Sequence, residues 1–110
     1  MLPIGPARKV TIYVNEDSKT HGKPLHMAVM DLLLRSGVAG GTAYRAMAGF
    51  GAHHKLHTPG MEVLAEHLPV RIEFIETSAR VDELLPALKE LVTDGLIDVQ
   101  ETTVVVSICR

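Results

Sequence analysis

His53, His54 and His57 stand in the order His-His-x-x-His. On a helix His53 and His57 would share a face, and imidazoles so placed hold zinc or another divalent metal. No glutamate lies between them, so this is not the metalloprotease motif. Histidine titrates near neutrality, so the stretch could also sense pH. The plain alternative is a solvated loop that happens to be rich in histidine. Arg45 falls inside an alternating segment. A guanidinium fixed on a strand meets a carboxylate or a phosphate. A ligand anion and an ion pair between subunits both satisfy that need. Gly49-Phe50-Gly51 could bring backbone N–H groups close to an anion, or could simply end a strand. Lys23 precedes a helical pattern, where an ammonium and a helix N-terminus together favour an anion; its alternative is a solvated lysine. Asp82, Glu83 and Glu90 read as a solvated helix face without paired-carboxylate chemistry. Cys109 has no catalytic context.

The elements that must position these residues follow from periodicity. Val10, Ile12 and Val14 alternate with polar neighbours, which marks a strand with one buried face. Asn15 to Gly22 reads as a polar loop. Pro24 suits the first helical position. Leu25, Ala28, Val29, Leu32 and Leu33 then make one apolar helix face, over residues 24–36. Gly37 ends it, and Gly40 and Gly41 lead into a second strand over residues 42–48. A loop runs to about Leu68. Val70, Ile72 and Phe74 give a third strand, with Pro69 at its start. Ser78 can cap a second helix over residues 79–93, whose apolar face is Val81, Leu84, Leu85, Leu88 and Val92. Pro86 must lie near its start or kink it. Leu96 to Val99 pair briefly, and Thr103 to Ile108 form the last strand. Residues 1–7 are expected to be an irregular arm.

The order βαββαβ predicts an α+β ferredoxin-like fold, a four-stranded antiparallel sheet with two helices on one face. Ile75, Tyr13 and Val105 fall on the other face. A half-apolar outer face predicts packing against another subunit.

The totals bound the class. The chain has 110 residues, enough for one domain over 1–110. Apolar residues make up 46% and aromatics 4%, so the core is aliphatic. Lys and Arg number 11 against 13 Asp and Glu, without a basic block, which excludes a nucleic-acid footprint. The flanks of Gly49-Phe50-Gly51 also lack the basic and aromatic residues of an RNA-binding strand. No stretch approaches the ~20 apolar residues of a membrane helix, and Met1 to Lys9 has no signal-peptide core. The lone Cys109 forms no internal disulfide. A cytoplasmic location is expected.

Three runs carry a family resemblance: Gly37-Val38-Ala39-Gly40-Gly41-Thr42, then Tyr44-Arg45 to Gly49-Phe50-Gly51, then Leu68-Pro69 to Glu76. Together they resemble the PII signal-transduction superfamily. Gly22-Lys23-Pro24-Leu25, Tyr44-Arg45 with Gly49-Phe50-Gly51, and Leu56-His57 are most similar to its uncharacterised PII-like branch, domain of unknown function 190. The resemblance covers the chain from Lys9 onward. It implies a homotrimeric signalling protein that binds an effector, often an adenine nucleotide, in clefts between subunits. It also implies a T-loop, here about residues 51–68, that acts on a partner such as a membrane transporter or an enzyme. The implied ligand cleft is edged by Gly37, Gly40, Gly41, Arg45, Gly49, Phe50 and Gly51, with Lys23 as a further candidate. The chain departs from true PII proteins where Thr93-Asp94-Gly95 replaces their lysine-containing phosphate loop. His53 replaces a glutamine, and residues 50–68 hold no tyrosine for uridylylation. A monophosphate, a diphosphate or a smaller anion is therefore expected rather than ATP. Two other readings stay open. One is a metal-binding trimer using His53, His54 and His57. The other is a small acylphosphatase-like hydrolase, disfavoured because Asn15, Glu16 and Asp17 stand where a phosphate cradle is needed.

Overall fold

The computed structural model describes residues 2–49 and 68–108. Strand β1 spans Gly5–Asn15 and buries Val10, Ile12 and Val14. It begins inside the arm expected to be irregular, because the last strand supplies pairing partners as far as Gly5. The expected polar loop after it contains a short hairpin of β2 (Lys19–Thr20) and β3 (Lys23–Pro24). His21 (φ 49°) and Gly22 (φ 79°) make its two-residue turn, with both φ values positive as the twist of tight hairpins demands. Helix α1, Leu25–Arg35, buries Leu25, Val29 and Leu33. Pro24 is its N-cap, one position earlier than expected. The Leu25 N–H donates back to the Ser18 carbonyl at 2.7 Å.

Strand β4 is Thr42–Arg45, four residues where seven were expected. Its partner, β5 (Pro69–Glu76), begins at Pro69, and the Ala46 N–H to the Pro69 carbonyl is the last link between them. Helix α2, Ser78–Leu91, buries Val81, Leu84 and Leu88. Its cap is Thr77 and not Ser78: the Thr77 hydroxyl accepts from the Arg80 N–H at 3.3 Å. Pro86 lies in the helix interior on the exposed side. There the carbonyl four residues back, at Asp82, can turn to water.

The last strand, β6, is Leu96–Val104. The expected strand over 103–108 is thus corrected: β1 pairs with β6 from Gly5↔Val104 to Tyr13↔Leu96, which exhausts β1. Val105, Val106 and Ile108 lie beyond it and are exposed.

The sheet order is β4-β5-β1-β6, antiparallel throughout. Both helices pack on one face, over a core of Val10, Ile12, Val14, Val70, Ile72 and Phe74. This is the expected ferredoxin-like βαββαβ fold. The other face is less apolar than expected. Ile75 and Tyr13 lie on it, alternating with the core residues, but Val105 lies past the sheet. Lys9 pairs with Glu73 there at 3.4 Å, and the Arg71 guanidinium lies 4.4 Å from the Tyr44 ring centre.

Candidate functional site

The glycine segment is the exit of α1. Gly37 takes φ 75°, the left-handed conformation that favours glycine. Its N–H donates to the Leu34 carbonyl, and the Val38 N–H to the Leu33 carbonyl. These two bonds make a Schellman C-terminus. The next residues are pinned from outside the helix. The Ala39 N–H donates to Glu76 Oε2 at 2.8 Å, and Arg80 donates to the Ser36 carbonyl. Glu76 is buried with only 6% of its surface exposed, and its carboxylate fixes the loop against β5. Gly40 then stands in the open, since a Cβ there would meet nothing within 4 Å. A Cβ on Gly41 would make ordinary contact with Leu33, at 3.7 Å. The result is a pinned loop that ends in two residues of bare backbone, Gly40 and Gly41, leading into β4, the edge strand of the described sheet.

Arg45 ends that edge. Its Nε donates to Glu16 Oε2 at 2.7 Å and its Nη2 to Oε1 at 3.1 Å. Glu16 also takes the Leu68 N–H on Oε1 at 3.4 Å, and its own N–H donates to the Leu68 carbonyl at 3.0 Å. Topology brings the three together. β1 and β4 are both antiparallel to β5, so Glu16, after β1, and Arg45, at the end of β4, meet Leu68, just before β5. The hydrogen bond from Arg45 is the main cause that holds the Glu16 carboxyl below its ordinary range. Glu16 in turn raises the Arg45 pKa. Arg45 therefore meets a carboxylate as expected, but one of its own chain.

The described residues of the expected cleft are spread along β4. Gly40 and Gly41 lie at the Glu76 end of β4 and Arg45 at the Leu68 end. Four strand steps separate Gly41 from Arg45, about 13 Å. Gly49 has a packing reason to be glycine, because a Cβ would stand 3.0 Å from the Pro69 ring. Lys23 is elsewhere. It sits with His21, Asp31, Arg35 and Glu90 around an open groove of about 550 Å³ between α1 and α2. Phe50, Gly51, His53, His54 and His57, and with them the T-loop-like segment, fall outside the described residues. Among the described residues no group of three or more His, Cys, Asp or Glu could hold a metal ion. Nor is any described helix long and apolar enough to cross a membrane.

Glu16 and Glu76 were absent from the expected site. Glu76 was legible: it stands in phase with Val70, Ile72 and Phe74, so a carboxylate had to turn inward. Glu16 carried no such signal, because its partner is set by strand order.

The model of the family DUF190, described as an uncharacterised ACR, matches residues 7–104. The chain belongs to the DUF190 family. The UPF0166 protein MJ1524 of Methanocaldococcus jannaschii is 30% identical over 92 residues, covering 83% of this chain and 84% of that protein. Among solved structures, this DUF190 chain is similar to CPII of Thiomonas intermedia K12, a nitrogen regulatory PII-like protein. The CPII structure bound to ADP and bicarbonate aligns with a TM-score of 0.65 at 23% identity, covering 94% of this chain and 93% of CPII. A second, bound to ADP, AMP and acetate, gives a TM-score of 0.66 at 20% identity, covering 94% and 92%. The DUF190 fold seen here is thus PII-like.

Proposed function

We propose that this protein is a PII-like regulator that binds an adenine nucleotide or a smaller anion along the β4 edge, and acts by binding and not by catalysis. The observation that carries this reading is the pinned, bare loop at Gly40 and Gly41 on the same edge as the exposed guanidinium of Arg45. Backbone without side chains admits a ligand at close range, and its N–H groups are donors for an anion. An edge of about 13 Å suits an extended nucleotide better than a single small ion. The shared fold with CPII, which binds ADP with bicarbonate, supports the ligand class. A mono- or diphosphate is favoured over ATP, because Thr93-Asp94-Gly95 offers no lysine. In the working form, three copies assemble in the cytoplasm with the cleft between neighbours. A transporter or enzyme then reads the bound state through the segment around 51–68.

Calorimetric titration with ADP and with bicarbonate tests this. Wild type should bind, Gly40→Val should weaken ADP at least ten-fold without loss of fold, and Arg45→Ala should weaken the anion similarly. Wild-type protein that binds neither would end the reading. Tight zinc binding lost in His53→Ala and His57→Ala would put the metal-binding trimer in its place.

A further inference from the structure

The Arg45 guanidinium already holds an anion, supplied by its own chain. Both oxygens of Glu16 meet it side-on, at 2.7 Å to Nε and 3.1 Å to Nη2. That is the arrangement in which a guanidinium takes a planar carboxylate. The pair is open to exchange: the Arg45 side chain is 57% exposed, so an incoming anion reaches it from solvent. Swapping one carboxylate for another on the same guanidinium exchanges like for like, two charge-assisted hydrogen bonds for two. The Glu16 backbone is anchored by its N–H on the Leu68 carbonyl at 3.0 Å, while its carboxylate takes the Leu68 N–H only at 3.4 Å, so the side chain can swing off Arg45 without the backbone moving.

We propose that Glu16 fills, from within the chain, a site on Arg45 for a planar two-oxygen anion, a carboxylate or bicarbonate, and so determines which anions bind there and how tightly. This rests on the reading of Arg45 as a ligand contact. A planar anion can take over both hydrogen bonds in the geometry Glu16 uses. A tetrahedral phosphate matches that geometry less well, and it brings more negative charge toward Glu16. The nucleotide's phosphates therefore belong to the glycine end of the β4 edge and the small anion to the Arg45 end. Glu16 is a specificity-determining competitor, and removing its charge should open the site.

The experiment follows the Arg45 Nε–H signal by nuclear magnetic resonance while sodium acetate, sodium bicarbonate or sodium phosphate is added. In Glu16→Gln, acetate and bicarbonate should bind at least ten-fold more tightly than in wild type, and more tightly than phosphate. Glu16→Asp keeps the charge on a shorter arm and should fall between the two; it carries the test if Glu16→Gln does not fold, as judged by thermal melting. Anion affinity in Glu16→Gln equal to or below wild type would overturn the proposal, because Glu16 would then position Arg45 instead of competing for it. So would a preference for phosphate. Calorimetry on Arg45→Ala separates the two readings. Loss of anion binding there keeps the ligand role of Arg45 whatever Glu16 does; unchanged binding removes that role and this proposal with it.

Discussion

Glu16 accepts hydrogen bonds from both Arg45 and the Leu68 N–H. Its carboxyl titrates below the ordinary range, so the folded state gains stability from this contact above the unfolded-state value, about 4.3. That gain is lost as pH falls through the lower folded-state value. Wild type should therefore melt higher than Glu16→Gln at pH 7, and the gap should close in acid below about pH 4; melting curves at both pH values check this. His21 carries a different lesson. It is the one described non-glycine residue with positive φ. Asparagine tolerates that turn position better. His21→Asn should raise stability by on the order of 0.5 kcal/mol, measured by urea unfolding.

At the scale of elements, the helices and the inner strands were legible and the outer strands were not. The stripes of α1, β1 and β5 state which face is buried, and burial follows them. β6 misled because Val104, Val106 and Ile108 alternate as a strand would. Alternation says which face is apolar but not where the partner strand ends, and β1 ends opposite Val104. The cap was ambiguous for a local reason: Thr77 and Ser78 both offer a hydroxyl, and only Thr77 keeps an extended backbone, with φ −63° and ψ 156°. Thr77→Ala should cost about 1 kcal/mol, and Ser78→Ala much less, in the same unfolding assay. The bare glycine edge was readable in sequence as a place of close approach. Its rigidity was not, since that depends on Glu76 and Arg80 reaching across from β5 and α2.

Across the whole molecule, the outer sheet face carries its own complement. Lys9 and Arg71 stand among Glu73 and Asp98, with Tyr13 and Ile75 between them. Ile4 and Val105 are exposed together where β1 starts and β6 ends. In the proposed assembly this face would be covered by further copies of the chain, opposite charges meeting across it. Light scattering at micromolar concentration should give three times the chain mass, and a stable monomer would contradict it. The proposed ligand site is the β4 edge from Gly40 to Arg45, and a crystal structure of the protein grown with ADP and bicarbonate would show whether ligand sits there. ADP should lie against the backbone of Gly40 and Gly41 with a planar anion on Arg45; ADP in the groove between α1 and α2, or on any surface away from β4, would rule the β4 edge out.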